Sequence, residues 1–174
     1  VGSLAYLAAI IAAVSPSLVI MLAAPLGMSA ILTLVYVGWL LRRTPTSTTK
    51  SADVGRAFEP IAILLFVVLV GGFSLASELL VRWLGAPGAL VGAGVMGLAD
   101  AHASSASLAT MQAGGRLGFT SAAVGIVLTL TSNMAIKVPT AFVAGGRAYG
   151  RQVALGAGLL LTGLWGGSLI TAFT

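Results

Sequence analysis

Cysteine is absent from this 174-residue chain, which removes disulfides, thiolate metal sites and thiol nucleophiles. Acids are scarce too: four Asp and Glu residues stand against nine Lys and Arg, with a single histidine. One His without Cys is a poor set for a soft metal. No phosphate-binding loop, nucleophile–base pattern or metallohydrolase signature occurs, so the chain is not expected to be an enzyme. Charged residues make up only 7% of the sequence, where a soluble domain carries about a quarter.

What fills the space is apolar: 58% of residues are hydrophobic and the mean hydropathy is +1.07. Several runs exceed the roughly 20 residues that cross a hydrocarbon core as a helix, and none shows the alternation of an outer-membrane barrel. The expected fold is an all-α, polytopic transmembrane bundle forming a single domain over 1–174. The formal charge of +5 does not point to nucleic acid, because the basic residues sit at the ends of apolar runs, where headgroups lie.

Val1–Val14 is apolar but too short to span, so the chain reads as a fragment or the C-terminal half of a longer membrane protein. After the break at Ser15-Pro16-Ser17, Leu18–Leu41 spans once, kinked at Pro25 and closed by Tyr36, Trp39, Arg42 and Arg43 as an aromatic and basic interface. Residues 42–57 form the one polar loop. Glu59-Pro60 opens the next span, which runs to about Leu84 with a Glu78–Arg82 pair near its end. Three further spans are expected over Gly88–Gln112, Phe119–Ala144 and Gln152–Phe173, giving five in full plus a partial first helix.

Gly114-Gly115-Arg116 and Gly145-Gly146-Arg147 read as glycine C-caps, and Gly88-x3-Gly92 and Gly163-x3-Gly167 as close helix contacts. Arg42, Arg43, Lys50, Arg56 and Arg116 on one side outnumber Arg82, Arg147 and Arg151 on the other, which puts the polar loop in the cytoplasm.

The chemistry concentrates in Gly97-Leu98-Ala99-Asp100-Ala101-His102-Ala103-Ser104-Ser105, in the middle of a membrane-length run. A charge at bilayer depth costs roughly 2.5 kcal/mol or more, so it needs a partner or a task. On an unbroken helix Asp100, Ser104, Ser107 and Met111 share a stripe, and Thr129, Asn133, Lys137 and Thr140 share one on the next helix. Such seams must face each other or a wet cavity, and Lys137 is placed to pair with Asp100. Asp100, His102, Ser104, Asn133 and Lys137 are therefore the candidate ion-binding or proton-relay residues, with Asp100 and Asn133 as metal ligands. His102 points about 200° from Asp100 and joins it only if the helix is interrupted there. The competing reading is structural, with the seam holding helices together and the serines bonding their own backbone.

Phe58-Glu59, Gly97-Leu98-Ala99-Asp100-Ala101-His102-Ala103, Ser132-Asn133-Met134-Ala135-Ile136-Lys137 and Gly145-Gly146-Arg147 together resemble the C-terminal domain of unknown function of MgtC/SapB-type bacterial membrane proteins, over roughly Phe58 to Val153. His102 stands where many members carry an acid. The resemblance implies a multi-pass protein of the bacterial inner membrane, often preceded by an MgtC-like half, and associates it with magnesium or other cation homeostasis.

Two functions remain open from the sequence. One is a transporter or channel-like protein for a cation, of the magnesium type or proton-coupled, with a cation such as Mg2+ as its one bound ion and no other cofactor. The other is a non-transporting scaffold or regulatory subunit that meets other membrane subunits, or copies of itself, through its glycine-rich faces.

Overall fold

The computed structural model describes residues 2–43, 79–80 and 82–172. The polar loop, most of the span expected over Glu59–Leu84 and Glu78, the expected partner of Arg82, lie outside them. The described elements are all helices: α1 (Gly2–Val14), α2 (Pro16–Arg43), α3 (Ala86–Ala99), α4 (Ala101–Ala113) and α5 (Phe119–Ala172). No strand occurs among the described residues. Two of these helices are long and apolar enough to cross a membrane, over Pro16–Arg42 and Phe119–Ile170.

At 54 residues α5 would measure about 80 Å if straight. It is not straight. Trp165 Nε1 donates to Thr131 Oγ1 at 3.3 Å across 34 residues, a contact that a continuous rod would hold about 50 Å apart. The reversal occurs at Gly146, whose φ of 71° is open to glycine and strained for any other residue. The Tyr149 ring lies over Gly145 and the Phe142 ring over Gly150, so each small residue beside the elbow receives an aromatic. The two arms, 119–145 and 147–172, are thus antiparallel neighbours.

α2 lies against both arms. Gly163 and Gly167 of the second arm approach the backbone of α2 at Ser29 and Pro25, where a Cβ would overlap main-chain atoms. Tyr36 Oη donates to the Gln152 carbonyl at 3.0 Å and fixes the far end of the same pair. α2 and the second arm therefore run antiparallel along their whole contact, and the small-residue spacing read from the sequence is where they meet.

α1 and α2 meet at Ser15 in a sharp reversal. Ser3 touches His102 and Ser15 Oγ donates to Gln112 Oε1 at 2.6 Å, so α1 runs alongside α4 in the same direction. Met21, Leu22 and Pro25 then line one cavity of about 320 Å³ with Thr120 and Ala123, so α2 has turned back along the first arm of α5. Pro16 begins the new helix, where its missing N–H costs nothing.

Leu4, Leu7 and Ile11 of α1 and Leu18, Leu22 and Leu26 of α2 form helical stripes that enter one core with Leu108, Ile126 and Leu164. The outward side of α2 is apolar as well, with Ile20, Ile31, Leu34 and Val35 exposed. Burial of that surface has to come from beyond the described residues.

The ends of the helices redistribute the basic residues. One end of the bundle holds Ser15, the α4–α5 turn with Arg116 and the start of α3; the other holds the α5 elbow and the end of α2. Arg42 therefore shares an end with Arg147 and Arg151, and Arg116 stands at the opposite one, which corrects the grouping expected from the sequence. The sequence count assumed that 88–112 crosses the bundle, and it does not.

Candidate functional site

The segment expected as a continuous span over Gly88–Gln112 is a helical hairpin. Asp100 has extended backbone angles, φ −148° and ψ 109°, and serves as C-cap of α3 and N-cap of α4. Ser104 Oγ donates to the Ala93 carbonyl at 3.4 Å, although eleven residues of unbroken helix would separate them by about 16 Å. Leu90 and Leu108 both reach Gly125 on the first arm of α5, which places the legs of the hairpin side by side. Its tip is Asp100.

Two features of the sequence make the break local. Asp100 is a strong N-cap residue, and its Oδ1 accepts from the backbone N–H of His102 at 2.8 Å and of Ala103 at 3.3 Å. Gly97 lets the end of α3 lie directly on the backbone of α5 at Thr129, where any Cβ would collide.

Breaking a helix strands carbonyls, and the first arm of α5 supplies the donors. Asn133 Nδ2 donates to the Gly97 carbonyl at 2.9 Å, the group whose helical partner was lost at the break. Thr129 Oγ1 donates to the Ala93 carbonyl at 3.2 Å and lies 3.1 Å from Ser104 Oγ. These three side chains are buried. The polar seam thus joins both legs of the hairpin to one crossing helix. Since Asn133 lies close to the middle of the arm 119–145, the tip stands at mid-height of the bundle.

The interruption also joins the two residues that an intact helix would separate. His102 Nδ1 lies 3.5 Å from Asp100 Oδ1, with the side chains 29% and 42% exposed respectively. On its other side His102 Nε2 is 3.0 Å from Ser3 Oγ and 3.3 Å from the Ser3 carbonyl, while the Tyr6 ring packs against the imidazole at 5.3 Å. α1 therefore holds the tip through its first turns. Ser3 and Tyr6 carry no sequence signal beyond being polar or aromatic in an apolar run.

Several expected placements are corrected. Lys137 does not pair with Asp100: it is exposed, and the carboxylate caps its own helix instead. The reason is geometric, since the hairpin ends at the level of Asn133 and Lys137 lies one turn past the tip. Thr140, on the same stripe, is exposed and bonds only its own helix at the Ile136 carbonyl. Ser107 is exposed and off the seam, whereas Ser105, part of the central motif but not of the expected seam, is fully buried with no partner for its Oγ.

A resident divalent metal does not fit this set. Among the described residues no group of three or more His, Cys, Asp or Glu converges. Hard divalent cations take six or more oxygens when held by protein alone.

Residues 3–145 match the family model described as domain of unknown function (DUF4010). The chain belongs to this family. The DUF4010 match covers α1 through the first arm of α5, and so contains the hairpin, its polar seat and the His102 contact with α1. It concerns that domain and does not by itself tie the chain to MgtC/SapB-type proteins. No curated protein and no solved structure matches the chain.

Proposed function

We propose that this protein is a multi-pass protein of the bacterial inner membrane, not an enzyme, that moves a cation or couples to proton movement through the hairpin tip. The observation that carries this reading is the reversal of the chain at Asp100. Non-helical backbone at membrane depth is tolerated only where protein buries it or where it lines a water-filled cavity, and paired half-helices with their ends at the midplane are a recurrent way of building ion sites. In this reading α2 and each arm of α5 cross the bilayer, and α3–α4 enters and leaves by the same face. The span expected over Gly88–Gln112 is thereby replaced by a re-entrant hairpin. The association with magnesium or other cation homeostasis, and with an MgtC-like preceding half, rests on the sequence resemblance alone.

The roles divide by contact. Asp100 and His102 are the partly exposed, ionisable pair, and they meet the ion or carry the proton. Asn133, Ser104 and Thr129 are positioning residues, because their polar atoms satisfy the broken backbone. One carboxylate beside one imidazole makes a weak and transient site, which suits a permeating ion that must leave as readily as it enters. Lys137 takes no part.

The test is flux into reconstituted vesicles, measured for Mg2+, Ca2+, Mn2+, Na+ and protons. Asp100→Asn keeps the cap, since Asn serves as well as Asp at that position, and removes the charge. The expected result is loss of flux with an unchanged unfolding midpoint in detergent; unchanged flux would remove Asp100 from the mechanism. A second reading, a non-transporting scaffold, is favoured by the full engagement of the seam in holding the hairpin. Absence of flux of every ion in the unmodified protein would select it.

A further inference from the structure

The elbow end of the bundle carries a second chemistry that the hairpin does not use. Tyr36 and Gln152 are bonded and hence level with each other. Arg42 lies six residues beyond Tyr36 and Arg147 five residues beyond Gln152 toward the same end, rises of about 9 and 7.5 Å. The two guanidinium-bearing positions are therefore at nearly the same height on adjacent helices, with Arg151 one turn nearer the centre on the arm of Arg147. All three are exposed and none has an ion-pair partner among the described residues. The only described carboxylate is Asp100, at mid-height.

The surface immediately below is apolar and aromatic. Leu41 is 71%, Trp39 46% and Val143 88% exposed, and Trp39 stacks on Tyr36 with ring centroids 6.1 Å apart. An anion that used only the arginines would leave this surface uncovered. An amphiphile uses both.

We propose that the elbow end binds the phosphate headgroup of an anionic phospholipid between Arg42 of α2 and Arg147 and Arg151 of the second arm of α5, with the acyl chains on the apolar surface beneath. Arginine suits the headgroup because its planar fork donates to phosphate oxygens in pairs. The aromatic pair sits at the boundary where such rings are favoured. The lipid bridges α2 to the elbow, and so reinforces the contact that Tyr36 and Gln152 make in protein alone. This inference rests on the reading that α2 and α5 cross a bilayer.

The experiment is native mass spectrometry and thermal unfolding of the purified full chain in mild detergent, titrated with phosphatidylglycerol, phosphatidylcholine or inorganic phosphate. Phosphatidylglycerol should be retained and raise the unfolding midpoint, while the other two leave it unchanged. Arg42→Gln, Arg147→Gln and Arg151→Gln should each weaken phosphatidylglycerol binding about five-fold, and Arg116→Gln, at the opposite end, should not. Equal retention of phosphatidylcholine, a full effect from inorganic phosphate, or equal weakening by Arg116→Gln would each overturn the proposal. Flux is read separately: an unmodified protein that binds the lipid but passes no ion faults the transport reading alone, and a transporting protein without lipid preference faults this one.

Discussion

The two seats that α5 offers to its neighbours are built from different materials. Its second arm receives α2 mainly through Gly163 and Gly167, backbone against backbone at Ser29 and Pro25, with the Tyr36–Gln152 hydrogen bond only at the far end of the contact. Ser29 bonds only its own helix, to the Pro25 and Leu26 carbonyls. Its first arm receives the α3–α4 hairpin through one comparable glycine contact, at Gly97, and through Thr129 and Asn133, both of which donate across the interface. The difference follows from the state of the backbone being received. α2 continues as one helix through Pro25 and loses only the donor for the Met21 carbonyl, whereas the hairpin arrives broken and needs donors from its neighbour.

The largest effects should come where the two seats are alike. A Cβ at Gly97 or at Gly167 meets main-chain atoms that cannot rotate away, so Gly97→Val and Gly167→Val should each cost about 3 kcal/mol or more, at the upper end of overpacking effects. Unfolding in mild detergent measures this, and a well-folded Gly97→Val protein with an unshifted midpoint would show that the hairpin does not sit on α5 this closely.

A smaller effect separates the seats. Asn133→Leu leaves the Gly97 carbonyl without its donor and should cost about 1–3 kcal/mol, while Ser29→Ala, which removes only bonds back onto its own helix, should cost about 0.5 kcal/mol, the low end for a hydrogen bond. Equal midpoints for the two variants would abolish the distinction between a polar and an apolar seat. The smallest is Ser104→Ala, expected to cost about 1 kcal/mol at most, because Thr129 still donates to the Ala93 carbonyl. Hydrogen exchange of the backbone amides around Asp100 should rise in Asn133→Leu and stay near the unmodified level in Ser104→Ala.

Much of the local architecture was legible along the chain. The paired glycines before Arg116 and Arg147 each place a residue at positive φ, 70° at Gly115 and 71° at Gly146. Arg116 N–H closes back onto the Met111 carbonyl at 2.9 Å, as a glycine-capped helix end requires. Thr129 and Asn133 fall on one buried stripe because helical periodicity alone puts them there. The continuation of that stripe to Lys137 and Thr140 misled, since periodicity says which residues share a face and not where the neighbour on that face stops.

The fold-back at Asp100 is the main feature that local sequence pattern leaves hidden. Gly88–Gln112 is a largely apolar run of 25 residues, long enough to cross a bilayer, and length alone favours one unbroken span over a break at the aspartate in its middle. The available signal was an N-cap residue preceding an Ala- and Ser-rich segment, with glycines at Gly92, Gly94 and Gly97 just before it.

Composition and periodicity by themselves decided that the chain is helical, apolar on its outer as well as its inner surfaces, and marked by one acid deep in an apolar run. They act within a turn or two of helix, where the spacing of side chains is fixed by 3.6 residues per turn. Which segments run the length of the bundle and which fold back, that Asp100 meets His102 and not Lys137, and that Arg42 shares an end with Arg147 were settled only by tertiary structure. Those relations depend on where the chain reverses, and a reversal between packed helices is stable only when a neighbour supplies the donors and the room that the broken backbone lacks.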